Sequence, residues 1–190
     1  PTPIKTDAVF PNNWFTTHES GEMYLFPMFS PNRQLERRPD IVNRITEAFN
    51  LIINESILRS EEDGKFLEGT GSMILDRTNK LIYACYSERT DADLLSDYAK
   101  AMGYKEIGFN AKDETGIPYY HTNVIMTLGT DVAVICTESI LNLEERSNVI
   151  DSILNTGKEL VEISRKQVLS FAGNMLELRG TSKKPIMVMS

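Results

Sequence analysis

The sequence predicts an α/β protein assembled from strand–strand–helix–strand units, three complete and a fourth begun. Three observations carry that expectation. Hairpin patterns, two apolar runs around a turn, open each unit. Apolar residues at helical spacing follow each of the first three hairpins. The hairpin starts at Ser72, Asn123 and Asn174 recur about every 50 residues, the spacing of repeat and propeller-like architectures. No unit can cover both faces of its own hairpin, so neighbouring units must share a core.

In chain order, residues 13–26 read as two strands around a turn at Glu19-Ser20-Gly21. Within residues 38–54, Ile41, Ile45, Phe49 and Ile52 fall on one helical face, and Pro39 suits a first turn. Ser56-Ile57-Leu58 reads as the strand that closes the unit. The second hairpin runs through residues 72–75, a turn over 76–80, and residues 81–85. A helix from Asp91 buries Leu94, Leu95, Tyr98 and Met102 and stops at Gly103, before a strand over 105–109. The third hairpin covers 123–128 and 132–136 around Gly129-Thr130-Asp131. Its helix spans about 144–156, ends at Gly157, and leads to a strand over 159–163. Residues 174–178 and 185–189 begin a fourth hairpin. A chain stopping within a unit would leave an apolar edge unpaired. We therefore expect this sequence, which begins at Pro1, to be part of a longer protein.

Composition excludes several functions. A formal charge of −7 and an isoelectric point near 5.0 argue against a nucleic-acid-binding surface. No apolar run approaches the roughly 20 residues that span a bilayer, and no signal-peptide pattern opens the chain, so no membrane partner is expected. Two cysteines, Cys85 and Cys136, in apolar surroundings suggest neither a disulfide framework nor, with two scattered histidines, a structural zinc site. A soluble, reduced, cytoplasmic protein is the expectation.

Small polar clusters precede or start each first strand: Asn12-Asn13, Glu68-Gly69-Thr70, His121-Thr122-Asn123 and Gly173-Asn174. In a radial arrangement these points converge on one axis, with Gly69, Gly71 and Gly173 allowing close backbone approach. His121 and Asn123, two residues apart in a strand, would project to one face. That is how a concave site is built from distant positions. The competing reading makes them loop caps and turn formers.

Leu67-Glu68-Gly69-Thr70-Gly71-Ser72, Ser87-Glu88-Arg89-Thr90, His121-Thr122-Asn123 and Asp7-Ala8-Val9-Phe10-Pro11-Asn12-Asn13 together resemble the guanidino-group-modifying superfamily. That superfamily comprises arginine deiminases, dimethylarginine dimethylaminohydrolases and amidinotransferases. The resemblance is nearest to the arginine-deiminase-related branch that includes citrulline hydrolases, and it runs through nearly the whole chain. It implies a pseudo-fivefold α/β propeller, of which residues 1–190 form an incomplete portion of a single domain. It also implies a cysteine thiolate that attacks a guanidino or ureido carbon, with no cofactor and no metal.

By that resemblance His121 is the general acid/base. Glu68 is the adjoining carboxylate, which orients substrate nitrogens or holds the imidazole charged. Arg89 matches the arginine that clamps the substrate carboxylate, a task its planar fork suits. The alternative for Arg89 is an exposed pair with Glu88 or Asp91. Asp7 and Phe10 match residues that contact the substrate amine and flank the reacting group. Asn12, Asn13, Asn123 and Asn174 complete the expected substrate-binding set.

Two departures bear on the substrate. Asn13 and Asn123 stand where deiminases carry aspartates that grip a cationic guanidinium. Hydrogen bonds to a charged group are worth about 1.5–3 kcal/mol against about 1 kcal/mol for neutral ones. Carboxamides instead both donate and accept, as a neutral ureido group requires. Citrulline or a similar small-molecule amino acid is therefore expected as substrate. The nucleophile is missing: in the family it lies near the C-terminus, beyond residue 190. Cys85 and Cys136 read as inert core residues, so the chain alone should be inactive.

A non-catalytic amino-acid-binding relative using Arg89 and Asp7, an amidinotransferase, a dimethylarginine-hydrolysing enzyme and a repeat scaffold are the alternatives. A homodimer is left open. Residues 33–38 read as a solvated loop and helix start, with a place near the site entrance as the alternative that the resemblance offers, residues 61–64 as an exposed acidic turn, and His18 as a surface residue.

Overall fold

The computed structural model describes residues 5–181 and 184–189. Among these residues the chain forms three three-stranded sheets and one two-stranded sheet, each from consecutive strands. In the first, β1 (Phe15–Thr17) and β2 (Glu22–Leu25) pair antiparallel, and β3 (Ile52–Asn54) adds parallel to β2. Helix α1 (Pro39–Phe49) makes the crossover that a parallel pairing requires. The second sheet repeats this order with β4 (Ile74–Asp76), β5 (Leu81–Cys85), helix α2 (Ala92–Met102) and β6 (Lys105–Phe109). The third does so with β7 (Met126–Leu128), β8 (Val132–Ile135), helix α3 (Leu143–Leu154) and β9 (Glu159–Glu162). Finally, β10 (Met175–Arg179) and β11 (Pro185–Met189) pair antiparallel.

Local chemistry explains the best-formed unit. The Asp91 carboxylate accepts from the Leu94 amide at the start of α2, and Gly103 ends the helix in the left-handed region at φ 67°. Between these caps, Leu94, Leu95, Tyr98 and Ala99 turn inward. They join Ile82 and Ala84 of β5 and Tyr24 and Phe26 of the first unit in one cluster. A second cluster joins Tyr83, Cys85 and Phe109 to Ile125, Ile135, Val149 and Ile153 of the third unit. Each fully buried side chain of this size contributes about 1.5–3 kcal/mol, so these shared clusters hold the units to one another.

Several expectations are corrected here. The closing strand of the first unit is Ile52–Asn54, not Ser56-Ile57-Leu58, which turns into a helical turn at Leu58–Glu61. Asn50, in the left-handed region at φ 51°, ends α1 and lets Ile52 pair with Glu22 rather than continue a helical face. The first strands also begin later than the polar clusters. Short helical turns, Pro11–Asn13, Gly69–Ser72 and Thr122–Val124, lead into β1, β4 and β7. Strand alternation therefore does not relate His121 to Asn123.

His18 is buried, not at the surface. Arg33 is buried in an ion pair with Glu36 at 3.1 Å, and Arg37 pairs with Glu61 at 2.7 Å. Arg33 and Glu36 are thus withdrawn from solvent and Arg37 ties the first segment to Glu61, while Glu62, Asp63 and Gly64 form the exposed turn expected of them. Among the described residues no helix is long and apolar enough to cross a membrane.

Candidate functional site

The lead-in turns bring the polar clusters together. Gly69, at φ 45°, packs so tightly on the first unit that a Cβ there would lie 2.4 Å from the Asn12 carbonyl oxygen. At Gly71 a Cβ would lie 2.8 Å from Asn13 Oδ1 and 2.9 Å from His121 Cε1 and Nδ1. Only a residue without a side chain lets the Asn13 carboxamide and the His121 ring flank this turn. At Gly173 the Val124 carbonyl would be 2.3 Å away. The close backbone approach expected at these glycines is met at Gly69 and Gly173, whereas at Gly71 it is side chains that come close.

Glu68 is wholly buried, and His121 is 4% exposed. His121 Nε2 lies 2.6 Å from Glu68 Oε2, while Glu68 Oε1 accepts from the Phe29 amide at 2.9 Å. Burial pushes the Glu68 carboxyl up, but the His121 hydrogen bond and charge, the Phe29 amide and Arg89 outweigh it and hold it below its usual value. An ionised Glu68 places the hydrogen of a neutral His121 ring on Nε2. Nδ1 is then the nitrogen left to exchange a proton.

Two hydroxyls tie this pair's backbone together. Ser72 Oγ donates to the Arg89 carbonyl at 2.7 Å and accepts from the Glu68 amide at 2.9 Å. Thr122 Oγ1 donates to the Ser72 carbonyl at 2.5 Å and accepts from the Cys85 amide at 2.7 Å.

Arg89 pairs with neither Glu88 nor Asp91. Its Nη1 lies 3.7 Å from Glu68 Oε2, and its guanidinium stands 5.0 Å from the centre of the Tyr120 ring and 5.6 Å from that of Phe29. Asp7, Phe10, Asn13, Arg89, His121, Asn123 and Asn174 all line one cavity of about 570 Å³. Asn12 stands apart from it. It donates to Asn13 Oδ1 at 2.9 Å and Thr70 Oγ1 at 3.2 Å, and it lines an adjoining cavity of about 470 Å³ that shares Phe10, Asn123 and Asn174. Among the described residues no group of three histidine, cysteine or acidic side chains is arranged to hold a metal ion.

The cavity also contains residues that sequence reasoning missed. Arg33 donates from Nη2 to the Phe10 and Asp7 carbonyls at 3.1 and 3.3 Å, so it shapes the segment carrying Asp7 and Phe10. Asp113, Tyr119, Tyr120 and Phe171 complete much of the wall. Tyr120 adjoins the His121 motif and was within reach of pattern reading. Arg33, inside an arginine-rich run, had only the family resemblance to suggest a place near the site entrance and no residue pattern of its own. Burial pushes the Cys85 thiol up to about 12 and raises Cys136, which disfavours the reactive thiolate in both.

The sequence profile of the eukaryotic N,N dimethylarginine dimethylhydrolase family matches residues 2–190. No curated protein matches the chain. Among solved structures, apo ArgZ, an arginine dihydrolase from the ornithine–ammonia cycle in cyanobacteria, is similar over 93% of this chain and 26% of its own, with 18% identity and a TM-score of 0.71. AgrE in a ternary complex with ornithine and NAD+ is similar over 93% of this chain and 24% of its own, with 19% identity and a TM-score of 0.72. A dimethylarginine dimethylaminohydrolase adduct with S-methyl-L-thiocitrulline covers 95% of this chain and 61% of its own, with 13% identity and a TM-score of 0.60. The chain thus spans about a quarter of the ArgZ and AgrE chains, and the likeness to all three is one of fold.

Proposed function

The chain belongs to the eukaryotic N,N-dimethylarginine dimethylhydrolase family, within the guanidino-group-modifying superfamily, and from that premise we propose that it carries the histidine–carboxylate half of a hydrolase site. The bond broken is a carbon–nitrogen bond of a ureido or guanidino amino acid. One observation carries this reading: a buried His121–Glu68 contact of 2.6 Å beneath a cavity lined by both carboxamides and guanidinium groups.

In this reading a cysteine thiolate from outside residues 1–190 attacks the ureido carbon. The departing nitrogen takes a proton from His121 Nδ1, while Glu68 steadies the positive charge that the ring carries beforehand. Water then attacks the thioester-like carbon and gives its proton to His121. The electron pair of the carbon–sulfur bond returns to sulfur. Arg89 and Arg33 face the substrate carboxylate, and Asn13, Asn123 and Asn174 face the ureido group. The three units and the hairpin are read as consecutive blades of a pseudo-fivefold propeller in one domain, a reading that the fold likeness supports.

Asn13 and Asn123 favour citrulline over a cationic substrate. The test is turnover of citrulline, arginine and N,N-dimethylarginine by the full-length protein. Citrulline is expected to be the fastest. Faster turnover of arginine or dimethylarginine overturns the ureido reading, and turnover of none overturns the hydrolase reading.

A further inference from the structure

Asp113 lies in the loop that follows β6, a stretch rich in turn formers that carries no motif. That loop is fixed at several points. Glu145 accepts from the Asn110 amide at 2.7 Å and from its side chain at 3.0 Å. The Lys112 amide donates to the Ser139 carbonyl at 2.9 Å, the Tyr119 amide donates to the Ala111 carbonyl at 3.1 Å, and Lys112 bridges to Pro118. Gly116, at φ 87°, makes the turn.

Inside this frame Asp113 Oδ1 accepts three hydrogen bonds, from the Thr115 amide and hydroxyl at 2.8 Å each and from the Ile117 amide at 2.9 Å. Oδ2 accepts none among the described residues. The Thr115 hydroxyl and the Ile117 amide hold the carboxyl below its usual value, so it is ionised at neutral pH. Among the described residues Asp113 enters no ion pair, yet it lines the same cavity as Arg33, Arg89 and His121.

We propose that Asp113 is a specificity-determining residue of this site, whose free carboxylate oxygen binds the α-ammonium group of an amino-acid substrate. The assignment deepens the ureido-hydrolase reading and rests on it. The cavity then offers both signs of charge that a zwitterion needs, guanidinium groups for the carboxylate and Asp113 for the amine. Asp7 is the competing candidate, but it lies in an exposed turn held through its backbone, whose carbonyl accepts from the Phe10 amide at 3.0 Å and from Arg33 Nη2 at 3.3 Å. A carboxylate locked by three donors in a tethered loop is the better preorganised of the two, and preorganisation lowers the ordering cost of binding.

Asp113→Asn tests this directly, because Oδ1 of the amide still accepts the three loop bonds while the charge is lost. Binding is measured by calorimetry on the full-length protein carrying His121→Ala to silence turnover. The two probes are citrulline and 5-ureidopentanoate, which lacks the amine. The background protein is expected to prefer citrulline by about tenfold or more. Asp113→Asn should remove that preference by weakening citrulline alone, leaving 5-ureidopentanoate within about twofold. The assignment is overturned by equal weakening of both probes, by a retained preference, or by loss of the preference in Asp7→Asn but not in Asp113→Asn. If the background protein binds neither probe, the underlying ureido reading falls and takes this assignment with it.

Discussion

Both histidines of this chain are buried, yet their surroundings differ in sign. His121 meets a carboxylate. His18 meets two hydroxyls and a cation: Thr16 Oγ1 at 2.8 Å and Tyr98 at 3.1 Å on Nε2, and Arg77 at 3.1 Å on Nδ1. Burial first, then Arg77, pushes His18 down to about 4. Its Nδ1 accepts from Arg77, so the ring stands neutral with its hydrogen on Nε2. One ring is wired as a structural strut between the first two units, while the other is hydrogen-bonded to a carboxylate and lines a cavity. Depth alone does not separate the two settings, whereas the charge of the partner does.

The sharpest way to break this comparison is to remove the carboxylate. Glu68→Ala leaves the His121 ring and the Phe29 amide without their buried partner. It is expected to cost about 3–5 kcal/mol in urea denaturation, as when one member of a buried pair is lost. A cost under about 1 kcal/mol would place Glu68 among ordinary surface carboxylates. In the full-length protein His121→Ala should lower turnover by about 10²–10⁴-fold. His18→Asn should leave turnover unchanged.

Acid titration gives the next largest effect. His18 has a lowered folded value, so above 6.5 its neutral form is favoured in both states and the fold is not penalised. As pH falls from 6.5 toward 4 the unfolded chain binds a proton that the folded chain refuses, and stability drops by up to about 1.4 kcal/mol per unit. Glu68, lowered from 4.5, keeps its contribution above 4.5 and loses it only as pH falls through its lower folded value. Between 6.5 and 4.5 the slope that His18 contributes should be lost in His18→Asn. A slope unchanged in that variant would undo the contrast.

The smallest effect concerns the thiols. With Cys85 at about 12 and Cys136 also raised, iodoacetamide at pH 8 should modify neither in the native chain over an hour. Mass spectrometry reads this, and rapid labelling of Cys85 would contradict its burial.

Sequence reading succeeded where the signal was local. The Asp91 cap and Gly103 bound α2, and the strand at Lys105–Phe109 was legible from alternation and its place after a helix stop. It failed where a local pattern ran past a tertiary decision. Ile52 continued a helical period, but Asn50 broke the backbone and sheet pairing claimed the next residues. His18, Arg33 and Glu61 looked solvated because the partners that bury the first two and pair with the third lie far along the chain. Of the site, Glu68 and His121 were legible through motif resemblance. Asp113 was not, since a carboxylate among Thr, Gly and Pro reads as a surface turn.

Each polar cluster of the site rides on the short turn ahead of a different sheet, while the three long helices make the crossovers between parallel strands. Chemistry and scaffold are thereby assigned to separate parts of one repeating unit. Apart from Glu145 of α3, which holds the loop of Asp113 through Asn110, exposed helix positions can drift or be recharged without retuning the pocket, whereas a one-residue insertion in a lead-in turn would disconnect a unit from the reaction even with its sheet intact.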